Sequence, residues 1–458
     1  LKATLTVEEP LLEAWIDRNK KPLLLILMML FAAHFAVVLY HAVDVPFMDE
    51  WEALSPSRRF NLASRPIFSY LTYHHLETRL FFTHLQEYVS WLLTSWDNRF
   101  YVAWSFALYG ILLGLHLWIQ KKIRADVPFH VQFFSILPLL TPYFWEAHAW
   151  GQQSHIHYSI LWNLILVVNL FKQRPRSWNY GLALLAMAAM IFSFSRGASA
   201  GLAVLVLFWI YQSFQRKFLW VVVFTLWSGF LYLLHFGFLG LEKPLTAHVG
   251  LIYPNSELFW NFFLNLGSRV FGFHDRSSIL GLLAFVMLGG AVWILLQQQN
   301  FRLKRLDEGA WQLLAILGSG VAAMGAIAMG RASLGIEGSQ LSRYAFANAQ
   351  LLPYVMLIYW SQRSTERQKG RLAWTLLLVF TSVGFARSLG KSHYRDLEAD
   401  RKAGLRCIAE HLQAGGHQPI VCPQIYPDDI RPMLEEAQRL NLSFLKSLPE
   451  LPHKLPAY

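Results

Sequence analysis

Charge is the first thing this chain is short of. Only 15% of its 458 residues are charged and 55% are hydrophobic, where a soluble domain carries about 25% charge. A water-soluble globule could not hide so much apolar sequence, so the soluble classes are excluded. Cysteine is nearly absent as well, with Cys407 and Cys422 alone in the chain. Their spacing supports neither a CxxC redox pair nor a thiol-ligated zinc site. The sequence also has no P-loop, no dinucleotide-binding glycine fingerprint after a strand, no nucleophile elbow and no regular repeat. Their absence removes an ATP-driven pump.

What the chain does have is about eleven apolar runs between Pro22 and Phe385, each close to the length that crosses roughly 30 Å of hydrocarbon. The formal charge of +11 could suggest nucleic acid, but the basic residues come in short clusters between the apolar runs: 18–21, 121–124, 172–176, 216–217, 302–305 and 363–371. Such clusters mark cytoplasmic loops, so nucleic acid is not expected as a partner. Requiring an even number of crossings between clusters predicts spans at 22–43, 99–120, 127–145, 154–171, 178–194, 198–214, 218–240, 278–298, 310–330, 344–361 and 372–386. The N-terminus is then cytoplasmic and the tail extracytoplasmic. The first run is longer than a signal-peptide core and no cleavage pattern follows it, so it is expected to remain as an anchor.

That count requires Leu80 to Trp96 not to cross, and its His84, Gln86 and Glu87 suit an interfacial helix better than a span. Glu257 to Phe273, with Asn261, Asn265 and Arg269 on one helical face, is expected to lie flat too. Glycines in the later spans, such as Gly281 and Gly320, read as close helix packing. The fold class is thus an all-α polytopic membrane protein of about eleven transmembrane helices, with interfacial helices in the first outer loop and a small α/β C-terminal tail. Residues 1–386 form the transmembrane domain, with its outer loop at 44–98, and 387–458 form the tail domain. In the tail, helices are expected over 405–412 and 430–440 and a strand over 419–421. Its two cysteines would form either a disulfide or two buried thiols.

The acids and arginines point to chemistry. Asp44, Asp49, Glu50 and Glu52 crowd the mouth of the first span, followed by His74-His75-Leu76-Glu77-Thr78-Arg79. Acids beside a bilayer are costly unless they line a wet cavity; a solvated, capped loop is the plainer alternative. Arginines fall on the outer side against the charge rule: Arg58, Arg59, Arg65, Arg79, Arg196, Arg269, Arg276, Arg331 and Arg343. The guanidinium fork binds phosphate oxygens at two points, whereas pairing with Asp49, Glu50, Glu77 or lipid headgroups would make these arginines structural. Arg196, Arg331 and Arg343 adjoin apolar runs and could turn inward. His148, His155 and His157 read as hydrogen-bonding groups rather than zinc ligands. His74 and His75, beside the acids, suit a divalent metal better.

Asp44 to Glu52, His74 to Phe82, Trp150-Gly151-Gln152-Gln153, Gly330-Arg331 and Ser342-Arg343-Tyr344 together resemble a group of bacterial polytopic proteins similar to the GT-C glycosyltransferase superfamily. The resemblance spans most of the membrane region through short motifs. It implies a polyprenyl-phosphate sugar donor, membrane lipids as surroundings, a glycan, lipid or protein acceptor, and residence in the bacterial inner membrane. It implies an acidic residue of the first outer loop as catalytic base or metal ligand. Asp49 is the expected base with Glu50 as the alternative, and His75, Glu77, Arg79, Arg196, Arg331, Arg343 and Tyr344 are the expected substrate-binding residues. Where that group has His-Asn-Glu-His-Arg this chain has His75-Leu76-Glu77-Thr78-Arg79; the missing second imidazole weakens a divalent metal as cofactor, and no residue is assigned as a metal ligand. A transporter or flippase of a lipid-linked sugar or another anion would want the same outward arginines, with Asn163 and Asn169 as its mid-span polar groups. A membrane assembly protein with a partner-binding tail is the third reading.

Overall fold

The computed structural model describes residues 11–56, 62, 67–75, 78–238, 250–365, 367–415 and 418–448. The expectations for Arg58, Arg59, Arg65 and Glu77 fall outside them. The chain is 77% helical. The strands among the described residues form two short antiparallel pairs, His74–His75 with Thr78–Arg79 and Val421–Cys422 with Tyr426–Asp429.

Six helices among the described residues are long and apolar enough to cross a membrane: Lys20–Tyr40, Asn98–Ile123, Ser195–Gln215, Phe218–His235, Ser278–Gln297 and Glu308–Leu334. Each corresponds to one of the eleven expected spans. Their termini follow ordinary capping chemistry. Asp97 accepts the Arg99 N–H, Asp307 accepts the Ala310 N–H, and Lys121 and Lys122 stand in the last turn of their helix, against its negative end. Outward apolar side chains such as Leu25 and Met28 on the first of these helices and Ile279 and Val286 on the fifth are more than half exposed, as lipid-facing residues would be.

The other five expected spans differ for local reasons. Pro138 and Pro142 break 127–145 into Phe129–Ile136, two 3-10 turns and Trp145–Ala149. The stretch 344–361 divides into Ser342–Ala349 and Leu352–Thr365, with Pro353 opening the second helix. Ser154–Leu170 and Ser177–Ile191, at 17 and 15 residues, fall at and just below the short end of the crossing range. Arg367–Ala386 carries Arg367, Lys369 and Arg371 in its first turns.

Phe81–Thr94 and Glu257–Ser268, expected not to cross, are 14 and 12 residues long. Phe81–Thr94 differs from an ordinary interfacial helix in which face it hides. Thr83, His84, Gln86, Glu87 and Ser90 are buried in protein, while Leu92 and Leu93 are exposed. Gln86 donates to the Tyr101 carbonyl at 2.9 Å and to Ser105 Oγ at 3.1 Å, so the polar stripe is satisfied internally. Gly281 sits where a Cβ would collide with the Leu264 carbonyl, the close approach expected of it.

One continuous buried cluster runs from Val38 to Phe444, tail included. The tail has a longer first helix and more β-structure than the sequence suggested: Tyr394–Gln413, the Val421–Cys422/Tyr426–Asp429 pair and Arg431–Arg439. Cys407 and Cys422 are disulfide-bonded across 15 residues, a closure worth about 3 kcal/mol by the chain-entropy argument. The tail is stitched to the first loop and the first span. His34 bonds the Tyr394 hydroxyl at 2.8 Å, His41 pairs with Glu398 at 2.5 Å, and the Met48 N–H donates to the Ile425 carbonyl at 2.6 Å. Trp51, fully buried, meets Phe444 edge-on at 5.6 Å.

Candidate functional site

The four acids of the first loop sort into two pairs, Asp44 with Glu50 around Asn98 and Asp49 with Glu52 around His75. Met48 has φ +49°, a left-handed conformation costly for a side-chain-bearing residue. The chain then enters the 3-10 turn Met48–Leu54 with Asp49 and Glu50 on opposite sides. Asp49 lines a cavity; Glu50 is fully buried.

Glu50 is held from four directions. Its Oε2 accepts the Phe47 N–H at 2.8 Å and Asn98 Nδ2 at 2.7 Å, and its Oε1 accepts the Gln152 N–H at 3.3 Å. The fourth is Arg401 of the tail helix, fully buried, whose charge acts on Glu50. Arg401 donates to Asn98 Oδ1 at 3.2 Å and to the Ala149 carbonyl at 3.1 Å, and lies 5.2 Å from the Phe47 ring. Asp44 completes the knot by accepting the Asn98 N–H at 2.8 Å. Burial pushes the Glu50 carboxyl up, and Arg401 and the three donors pull it back. Glu50 thus ties together the first loop, the helix after it, the Gln152 turn and the tail.

Asp49 and Glu52 instead flank His75, with His75 Nε2 3.4 Å from Asp49 and Nδ1 3.2 Å from Glu52. The Asp49 side chain is 42% exposed, the wet acid of the group. The cavity beside it measures about 190 Å³ and brings together Asp49, His75, Arg331, Arg343 and Tyr344 of the expected site. The same cavity takes in Thr78, Gln152, Gln153, His155 and Phe194. Arg331 ends the helix Glu308–Arg331 and Arg343 begins Ser342–Ala349. Glu146 sets Arg343: its Oε2 accepts Ser342 Oγ and the Arg343 N–H at 3.0 and 3.1 Å, and its Oε1 accepts Arg343 Nη1 at 3.4 Å. Trp150 and Tyr344 lie 5.3 and 5.4 Å from the guanidinium, within cation–π range. Gly151 lets this turn close, since a Cβ there would strike the Tyr101 ring. Gln152 and Gln153 each leave a buried amide oxygen without a partner among the described residues, and both residues line the cavity.

Other expected site residues lie elsewhere. Arg79 is nearly fully buried and caps the C-terminal end of Phe218–His235 through the Leu234 and His235 carbonyls, with a third bond to Thr72; a cation at a helix C-terminus is stabilised there. Arg269 binds the Ser339 and Phe273 carbonyls. Arg276 pairs with Glu337 at 2.8 Å. Arg196 lines a second, smaller cavity. Among the described residues no cluster of three or more His, Cys, Asp or Glu has metal-holding geometry. Glu52 was read only as one of the four crowded acids, without a role, and Arg401 was not singled out from sequence. For Arg401 a signal existed: it falls in register with Tyr394, Leu397, Leu405 and Ile408, the buried stripe of its helix, where an arginine must have a partner.

Glu87 gives the region a pH dependence. It is buried with Tyr70 and Tyr101 hydroxyls donating to it at 2.6 and 3.2 Å. Burial pushes its carboxyl from 4.5 up to about 7, the Tyr70 bond opposes this, and the Glu50 charge adds to it. A carboxyl raised in the folded state stabilises fully below the unfolded value near 4.5 and loses that contribution as pH rises through about 7. The loss is on the order of 3 kcal/mol. Thermal unfolding of detergent-solubilised protein between pH 4.5 and 8 should show this fall, and Glu87→Gln should flatten it; parallel curves for both proteins would refute the assignment.

Comparison of the chain with protein-family models, with curated proteins and with solved structures gives no match.

Proposed function

We propose that this chain is a membrane glycosyltransferase of the GT-C kind, moving a sugar from a polyprenyl-phosphate donor to an acceptor hydroxyl in cell-envelope glycan synthesis. The observation that carries the reading is that one cavity joins a hydrated carboxylate, Asp49, to two arginines, Arg331 and Arg343. In this reading the chain crosses the bacterial inner membrane eleven times, with the N-terminus cytoplasmic and the cavity and tail extracytoplasmic. Asp49 takes the proton from the acceptor hydroxyl as its oxygen bonds to the anomeric carbon. The bond from that carbon to the phosphate oxygen breaks, and polyprenyl phosphate leaves with its charge held by Arg331 and Arg343. His75 fixes the Asp49 carboxylate, Glu52 fixes His75, and the Gln152 and Gln153 amides receive sugar hydroxyls. Glu50 serves as a structural tie and Arg79 as a helix cap.

A flippase of the lipid-linked sugar is the second reading, favoured by the interrupted stretch from Ser342–Ala349 to Leu352–Thr365 beside the cavity. Purified protein in liposomes separates the two when given a polyprenyl-phosphate sugar and a membrane extract as acceptor source. A transferase releases free polyprenyl phosphate; a flippase moves the donor across with its sugar attached. Arg331→Ala and Arg343→Ala should each weaken donor binding about 10- to 100-fold, the loss of a charge-assisted hydrogen bond. Binding unchanged in both variants would remove the arginines from the site.

A further inference from the structure

A second, smaller cavity is lined by Arg196, His116, Ser159, Asn163, Ser319 and Gln350 among apolar neighbours. Arg196 is the one charged group in that lining and is 6% exposed. Its Nη2 donates to the Ala347 carbonyl at 3.1 Å, and its Nη1 has no partner among the described residues. No carboxylate lines the space, and both ring nitrogens of His116 are engaged, with Tyr354 at 2.9 Å and Gln350 at 2.8 Å. A buried guanidinium with no counter-charge in its lining is strongly unfavourable. Arg196 also stands in the first turn of Ser195–Gln215, where the helix dipole adds positive potential.

We infer that this second cavity is a binding site for one small monovalent inorganic anion, chloride in the cell, held by Arg196. The room inside, about 30 Å³, admits an ion and at most one water, which excludes a sugar phosphate. That water would serve Asn163 Oδ1, which has no partner among the described residues, while Asn163 Nδ2 is taken by Ser319 Oγ at 2.9 Å. The site is joined to the larger cavity through the chain: His155 and Ser159 are one turn apart on the helix Ser154–Leu170, and Phe194 precedes Arg196 by two residues. An anion there fixes the arginine whose backbone neighbour walls the larger space. The inference stands whether or not that space handles a lipid-linked sugar.

The test compares melting of the detergent-solubilised full chain in sodium chloride and in sodium gluconate at equal ionic strength. Chloride should raise the melting temperature by roughly 2 °C or more. Arg196→Met should abolish the difference and Arg196→Lys should keep part of it. Equal melting of the wild type in both salts, or a chloride effect surviving in Arg196→Met, overturns the proposal. If Arg196→Met does not fold, wild-type crystals grown in bromide decide: anomalous density beside Arg196 is expected, and its absence overturns the site. Stabilisation by inorganic phosphate but not by halide, lost in Arg196→Lys or Arg196→Met, would overturn the monovalent assignment.

Discussion

Asp49→Asn will fold and melt as the wild type does and will lose sugar transfer by about 10²- to 10⁴-fold, the usual contribution of a general base. The expectation rests on how Asp49 is placed. Its side chain is 42% exposed and borders the cavity, so an amide of equal shape disturbs little packing. The amide keeps a hydrogen bond to His75 and loses the ability to accept the acceptor's proton. A transfer assay in liposomes with melting measured alongside checks both halves. Activity within threefold of wild type at normal stability would show that Asp49 is not the base. If both Asp49→Asn and Arg343→Ala leave transfer intact, the cavity is not where the chemistry occurs.

Arg401→Ala should do the reverse, striking stability first. The substitution strands the fully buried Glu50 and the Asn98 side chain that Arg401 bonds. Arg401 does not touch Glu50 but bears on it by charge and through Asn98; leaving a buried carboxylate without its compensating charge costs up to about 3–5 kcal/mol, a large part of the total stability of most domains. The chain would lose the anchor of its tail helix against the first loop, so the Tyr394–Gln413 segment should become open to proteolysis. Limited proteolysis and thermal unfolding read this out. Adding Glu50→Gln to Arg401→Ala should recover part of the loss, because the unpaired charge goes with it. Failure of the double variant to recover any stability would show that packing by Arg401, and not its charge, is what matters.

These two variants show where the sequence was legible. The all-α character, the six helices long and apolar enough to cross a membrane and the shortness of the helix Phe81–Thr94 followed from hydropathy and loop charge, which depend on local composition. Proline breaks blurred two of the other five: Pro138, Pro142 and Pro353 interrupt stretches whose average hydropathy reads as continuous. Asp49 and Glu50 could not be ranked, because the groups that bury Glu50, namely Asn98, Gln152 and Arg401, lie far from it in sequence. The register of Arg401 marked it as buried, but not against what. Arg331, Arg343, Tyr344 and His75 converge as their motifs suggested. Arg79 and Arg269 answer to helix ends and loop carbonyls, uses of arginine that look identical from the sequence. Hydrogen bonds closed across hundreds of residues are what the sequence does not display.

The most direct measurement is a cryo-electron microscopy structure of the full chain with polyprenyl phosphate bound. The account predicts phosphate density between the Arg331 and Arg343 guanidinium groups, in the cavity that Asp49 borders, with the lipid chain leaving toward the apolar surface. Phosphate density at any other place, with that cavity empty, would contradict it.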